Sequence, residues 1–278
     1  MGSLLKVNPA AKIVWDSAAP DGFASGWPIL ICLLGGFRVL KGGEPVSVRR
    51  GGKTQTLLEN LSVCRGQCAS RDALLNALWP GGMEAASKRS LHKLVHTVHK
   101  ALGDAIDGAP PILRVDGYYR LNVEAGVGID VACFDILARA GEQQARSGNF
   151  AAAAVARAQA VRLYRGDLCA GRGVRAVTER NRVRTLYLTL LMRLAEYHYS
   201  GGAFGECLNA AQQLLASDPY REDAHRMVMR CHIRRGEWAQ ALRQYQLCEA
   251  MLRAEFDVEP ESATMALFNQ MRLDPGSV

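Results

Sequence analysis

Long hydrophobic runs and paired cysteine motifs are both missing from this sequence. No stretch approaches the roughly 18–20 uninterrupted apolar residues of a membrane helix, and the N-terminus does not lead a charged segment into an apolar one as a secretion signal does. The eight cysteines stand singly, without any CxxC pair, which argues against a disulfide framework and a zinc ribbon. We therefore expect a cytoplasmic protein with reduced thiols, no membrane association, and no metal or other cofactor.

A strong excess of one charge is also lacking. The formal net charge is +7, and most of it lies in the first half of the chain. Residues 1–125 hold 15 Lys and Arg against 10 Asp and Glu, whereas residues 126–278 hold 19 against 17. This imbalance is compatible with an anionic partner, but it also fits an ordinary solvated surface, so function must be inferred from motifs.

Aromatic residues make up only 7% of the chain, but hydrophobic residues together reach 49%, which excludes a mainly disordered protein. The length of 278 residues favours two domains. We predict an extended leader at 1–27, a domain at 28–125 and a second domain at 126–274.

The first predicted domain has the element order of a winged helix. Its predicted elements are strands at 29–34, 37–40 and 45–48, helices at 52–63, 70–79 and 85–102, and strands at 112–115 and 118–123. Ser70 is the expected N-cap of the second helix, and Asp116-Gly117 is a strong signal for a tight hairpin turn. In a winged helix the third helix enters the major groove of double-stranded DNA, and the hairpin wing touches the backbone.

The second predicted domain shows a helical repeat. The turn at Gly202-Ala-Phe-Gly-Glu recurs 34 residues later as Gly236-Glu-Trp-Ala-Gln, and an earlier copy begins at Gly148. A period of 34 residues, with a helix on each side of the turn, is typical of tetratricopeptide (TPR) repeats. The predicted fold class is therefore mixed: an N-terminal α+β winged helix followed by an all-α, TPR-like helical domain.

Together the two halves resemble the SARP-type (antibiotic regulatory protein) activators, which join an OmpR-type winged helix to a TPR-like bacterial transcriptional activation domain. The resemblance spans more than 85% of the chain. The motifs that carry it are Asp72-Ala-Leu-Leu-Asn-Ala-Leu-Trp79, Ser90-Leu-His92, Val98-His-Lys-Ala-Leu-Gly103, Gly117-Tyr-Tyr-Arg-Leu121, Tyr164-Arg-Gly-Asp167, Arg193-Leu-Ala-Glu-Tyr197, Asp218-Pro-Tyr-Arg-Glu-Asp-Ala-His-Arg226, Ala241-Leu-Arg-Gln-Tyr245 and Val258-Glu-Pro260. It implies binding to promoter repeats and recruitment of RNA polymerase, with a homodimer on DNA as one arrangement.

The third helix supplies the predicted DNA-reading face. Arg89, His92, Lys93, His96 and Lys100 recur at helical spacing opposite an apolar stripe, so their donors can reach phosphates and base edges. The further candidates for backbone or wing contacts are Lys53, Lys88, Arg114, Tyr118 and Arg120. One alternative is a solvated helix face that binds no ligand, and a second is a metal site at His92, His96 and His99.

An arginine-rich segment is the candidate site for a small anionic, nucleotide-like effector. It comprises Arg165, Arg172, Arg175, Arg180, Arg182 and Arg184, with only two acidic residues between them. The alternative is a solvated face with internal salt bridges.

A catalytic nucleotide site is not encoded. The run Gly51-Gly52-Lys53-Thr54 resembles the end of a phosphate-binding loop, but the first glycine of that motif would fall at Ser47. We therefore predict a DNA-binding transcriptional regulator, an activator rather than an enzyme. The alternatives are a TPR-type protein-interaction adaptor and a regulator gated by an anionic effector.

Overall fold

The structure is a computed structural model that describes residues 13–14, 24–49, 51–80, 84–169, 171 and 174–273. The strands are β1 (Ile13–Val14), β2 (Ala24–Ser25), β3 (Ile29–Cys32), β4 (Arg38–Lys41), β5 (Glu44–Pro45), β6 (Cys68–Ser70), β7 (Ile112–Val115), β8 (Tyr118–Leu121) and β9 (Val127–Ile129). The helices are α1 (Lys53–Val63), α2 (Arg71–Leu78), α3 (Glu84–Leu102), α4 (Asp130–Arg146), α5 (Phe150–Leu163), α6 (Val174–Ser200), α7 (Phe204–Ser217), α8 (Glu222–Arg234), α9 (Trp238–Phe256) and α10 (Ser262–Leu273). The predicted mixed fold class is confirmed.

A four-stranded sheet in the order β5-β4-β3-β9 opens the first domain. Strand β3 is central and fully buried, which explains its uninterrupted apolar sequence, and it pairs antiparallel with β4 and parallel with β9. The sequence did not predict β9. Its Gly128 lies against the indole of Trp27, where an added Cβ would approach a ring carbon to 2.5 Å. Trp27 is only 2% exposed, so it packs as a core residue and not as part of an extended leader.

Three helices and a second, three-stranded sheet complete the winged helix. Ser70 caps α2 as predicted, because its hydroxyl accepts a hydrogen bond from the Ala73 amide at 3.2 Å. The hairpin turn between β7 and β8 is also confirmed, with Asp116 and Gly117 both at positive φ. The sheet order is β6-β8-β7, and β6 is a strand that the sequence did not predict.

The compact units of the structure are not split at residue 125. One unit comprises the described parts of residues 1–139 and 162–184, and the other those of 140–161 and 185–278. Asp130, the first residue of α4, accepts hydrogen bonds from the Leu33 and Leu34 amides at 2.8 Å each. The Cys169 amide donates to the Leu33 carbonyl at 2.7 Å. These backbone contacts join the start of α4 and the segment after α5 to the end of β3.

The second unit consists of antiparallel helix pairs, as predicted for TPR-like repeats. The turns that precede α5, α7 and α9 contain Gly148, Gly202 and Gly236, each at a φ of 72° to 75° that favours glycine. Helices α7, α8 and α9 pack in sequence. One core cluster joins Leu194 of α6 to Ala211 and Val228, with Phe204 packed against it, and Trp238 packs against a second cluster. Within the described residues, no helix is long and apolar enough to cross a membrane.

Candidate nucleic-acid interface

Helix α3 separates its apolar and polar residues cleanly. Leu91, Val98 and Leu102 are at most 2% exposed and pack into the core of the winged helix. The predicted reading face on the opposite side is exposed at each of its described members, Arg89, His92, Lys93, His96 and Lys100. The structure therefore brings these five side chains together on one solvent-facing surface, called the α3 face below.

The orientation of α3 is fixed by a contact with the wing. His99 lies on the inner side of the helix, and its Nε2 donates a hydrogen bond to the Ile112 carbonyl on β7 at 3.0 Å. Because His99 points toward β7, it does not join His92 and His96 on the exposed side. Among the described residues there is no group of three or more side chains suited to hold a metal ion, so the alternative of a three-histidine site gains no support.

The wing presents exposed residues near its turn. Val115 and Tyr118 lie directly opposite each other in the hairpin and are 48% and 52% exposed, and Arg114 is exposed beside them. Arg120 is half-buried, and its guanidinium lies 3.6 Å from the carboxylate of Glu124. Arg114 is therefore exposed to solvent at the wing, whereas Arg120 already has an acidic neighbour.

Backbone contacts connect the wing to α2. The Arg71 amide, at the start of α2, donates to the Gly117 carbonyl in the hairpin turn at 3.2 Å. Strand β6 pairs Ser70 with Tyr118 in the same region. These backbone contacts join the α2 N-terminus and the wing tip into one edge.

Two further lysines, Lys53 and Lys88, were predicted to contact the DNA backbone. The Lys53 ammonium lies 4.2 Å from the centre of the Trp79 ring, so a cation–π contact positions it at the start of α1. Lys88 belongs to α3, but its side chain lies outside the described part of the structure.

Comparison with known proteins identifies the second half of the chain. The family described as "Bacterial transcriptional activator domain" matches residues 129–272, slightly more than half of the 278 residues. The chain belongs to this family of bacterial transcriptional activators.

Curated relatives extend the match over both halves of the regulator. The chain is 25% identical to the transcriptional regulatory protein MoaR1 of Mycobacterium tuberculosis, over 79% of this chain and 71% of that protein. It is 28% identical to the regulatory protein DnrI of Streptomyces peucetius over 81% of this chain and 85% of that protein. These matches confirm the SARP-type resemblance: the regulator is a DNA-binding transcriptional activator, and its relatives are regulators rather than enzymes.

A solved structure shares the fold. The regulator aligns with Mycobacterium tuberculosis EmbR, solved in complex with a low-affinity phosphopeptide, at a TM-score of 0.68 and 22% identity. The alignment covers 88% of this chain and 65% of that one, so the regulator spans less than two thirds of EmbR. At this identity the match establishes the winged-helix and helical fold alone.

The arginine-rich segment of the regulator is largely engaged in internal contacts. Arg182 donates two hydrogen bonds to the Asp135 carboxylate, both at 2.9 Å, and two to the Glu179 carboxylate, at 2.6 and 3.0 Å. These bonds, above all those to Glu179, raise the pKa of the Arg182 guanidinium. Arg180 donates to the Leu168 carbonyl at 2.9 Å.

The remaining arginines do not converge on one open site. Arg184 lies 3.9 Å from the Asp167 carboxylate, and Arg175 donates to the Cys64 sulfur at 3.3 Å. Arg165 lines a cavity of about 20 Å³ beside Asp130, which has room for about one water molecule. Arg172 lies outside the described residues. These positions favour the alternative of internal salt bridges over an effector site.

Sequence reasoning missed two residues that belong to this surface. Thr97 is exposed on α3 beside the predicted face, and its hydroxyl donates to the Lys93 carbonyl at 2.8 Å. Val115 is exposed opposite Tyr118. The sequence shows that Val115 lies at the end of a strand, but an apolar residue in a strand is usually predicted to be buried in the core.

Proposed function

We propose that this regulator reads promoter DNA by inserting α3 into the major groove while the wing rests on the neighbouring phosphate backbone. The observation that carries the proposal is the α3 face: five exposed donor side chains on a helix whose other side is buried. In the major groove a single Arg or Lys can donate to two acceptors of one guanine, O6 and N7. Phosphate oxygens can accept from any of the five side chains.

The edge formed by α2 and the wing supports a fixed docking geometry. Because the Gly117 carbonyl accepts from the Arg71 amide, the wing tip cannot drift relative to α2 without loss of a backbone hydrogen bond. His99 makes the equivalent connection between α3 and β7. A prearranged helix and wing lose little conformational entropy on binding, which favours affinity.

We propose further that the helical repeats contact RNA polymerase and that the protein acts in the cytoplasm, without catalysis. Support for this role comes from the family match over residues 129–272. A homodimer is the arrangement we expect on DNA, because two copies of the chain can occupy two half-sites one helical turn apart.

A gel-shift titration across a salt series tests the proposal. Genomic fragments retained by the purified protein should bind with a steep negative dependence of log affinity on log salt, about 0.9 per phosphate contact. An adaptor whose winged helix only docks proteins would retain no fragment selectively at any salt concentration. In vitro transcription from a retained fragment, with purified RNA polymerase, should rise on addition of the regulator.

A further inference from the structure

Two cysteine thiols meet in the core of the helical repeats. Cys207 lies in the first turn of α7 and Cys231 in the last turn of α8, and both are 0% exposed. Their sulfur atoms are 3.0 Å apart. A disulfide bond is about 2.04 Å long, so the sulfurs need to approach by only about 1 Å to bond.

The environment of this pair differs from that of two other buried cysteines, Cys133 and Cys248. The hydrogen bond with Cys207, together with the nearby Arg235 guanidinium, lowers the pKa of Cys231. In contrast, burial raises the pKa of Cys248 to about 11 and that of Cys133 to about 12. Since the thiolate is the reactive form, Cys231 is better prepared to react than Cys133 or Cys248.

We propose that Cys207 and Cys231 form a site of reversible oxidation, at which a peroxide converts the two thiols into a disulfide that links α7 to α8. In the first step the Cys231 sulfur attacks hydrogen peroxide; an S–O bond forms, the O–O bond breaks, and one water leaves. In the second step the Cys207 sulfur attacks the sulfenic acid; the S–S bond forms, the S–O bond breaks, and the Cys207 proton leaves with the hydroxyl group as a second water. The two thiols lose two electrons, and the peroxide gains them.

The position of the pair explains what the bond would change. Helices α7 and α8 are among the most closely packed pairs of the repeats, and both cysteines belong to one buried core cluster with Ala211 and Val228. The disulfide would close a loop of about 25 residues and restrict the unfolded chain. Because both sulfurs are buried, a small oxidant should reach them slowly, through local opening of the helices, and a reductant should reverse the bond equally slowly.

Peptide mapping of the oxidised protein tests the proposal. The full-length protein is incubated with hydrogen peroxide, free thiols are alkylated after denaturation, and the digest is analysed by mass spectrometry without reduction. We expect one cross-linked peptide that joins Cys207 to Cys231 and lacks two hydrogens. The thermal unfolding midpoint of the helical repeats should rise by about 5–10 °C and return after treatment with dithiothreitol.

Matched variants separate this pair from the other thiols. Cys207→Ala and Cys231→Ala should each lose the cross-link and the rise in midpoint, whereas Cys248→Ala, which removes a buried thiol on α9, should keep both. The proposal is overturned if the wild-type protein yields Cys207 and Cys231 as free, alkylated thiols after Cys64 and Cys68 have been oxidised. A cross-link that joins Cys207 or Cys231 to a different cysteine would overturn it equally. Both of these outcomes are read on the wild-type protein, so they hold even where a variant does not fold.

Discussion

Removing two cations from the α3 face should abolish tight DNA binding without unfolding the protein. Arg89 and Lys93 are exposed and one helical turn apart, so both can face one groove. If each makes one base or phosphate contact, Arg89→Ala combined with Lys93→Ala should weaken binding by about 2–5 kcal/mol, or roughly 30- to 4000-fold. Loss of two phosphate contacts would also reduce the salt slope by about 1.8.

The same variant should stay folded, because exposed substitutions away from caps and buried pairs change stability by no more than about 0.5 kcal/mol. Binding is measured by fluorescence anisotropy on a fragment that the wild-type protein retains, and stability by thermal unfolding. Arg230→Ala combined with Arg243→Ala is the matched control. It removes the same charge from two exposed helical positions in the other compact unit.

The reasoning is refuted if the Arg89 and Lys93 variant binds with wild-type affinity. It is refuted as well if the control weakens binding to the same extent, because net charge and not the α3 face would then determine affinity. Leu91→Ala provides the opposite reference. This residue is 0% exposed, so its truncation should destabilise the fold by about 2–5 kcal/mol.

The remaining predictions concern the wing, the junction at Asp130 and the cap of α2. Arg120→Ala should weaken binding to all DNA sequences about equally and flatten the salt slope, whereas Glu124→Ala, which frees Arg120 from its carboxylate neighbour, should strengthen binding. A change in sequence preference at constant slope would instead mean that Arg120 reads bases. Burial raises the pKa of Asp130 to about 6 despite its three backbone hydrogen bonds. The folded state therefore holds this proton more tightly than the unfolded state. The free energy of unfolding of the wild type, relative to Asp130→Asn, should then fall by about 2 kcal/mol between pH 4 and pH 6; a difference that is constant over this range in urea titrations would contradict it. Ser70→Ala should cost about 0.5–2 kcal/mol of stability by removing the α2 cap, and an unchanged urea midpoint would show that the cap is dispensable.

Local signals in the sequence predicted most of the winged helix. The alternation around Asp116-Gly117, the Ser70 cap and the apolar stripe of α3 depend on neighbours within a few residues, and each is confirmed. The exposure of the α3 face followed from the same stripe. Which of its members touch DNA remains a prediction, because that depends on a partner.

Long-range contacts could not be predicted in this way. Strand β9 has only three residues and pairs with β3, about 100 positions away in the sequence. Position 128 must be glycine because the Trp27 ring leaves no room for a Cβ. The carboxylate of Asp130 reaches the end of β3 over a similar separation. The arginine-rich segment shows the same limit. Its charge is evident in the sequence, but the pairing of Arg182 with Asp135 depends on the packing of two helices.

Methylation protection of a selected DNA fragment tests the central claim most directly. Genomic fragments retained by the purified protein are treated with dimethyl sulfate, which modifies guanine N7 in the major groove and adenine N3 in the minor groove. Our account predicts protection of guanine N7 within short repeated elements, and loss of that protection in the variant that lacks Arg89 and Lys93. Selective retention of fragments with only adenine N3 protected, or no selective retention at all, would contradict recognition of DNA by α3 in the major groove.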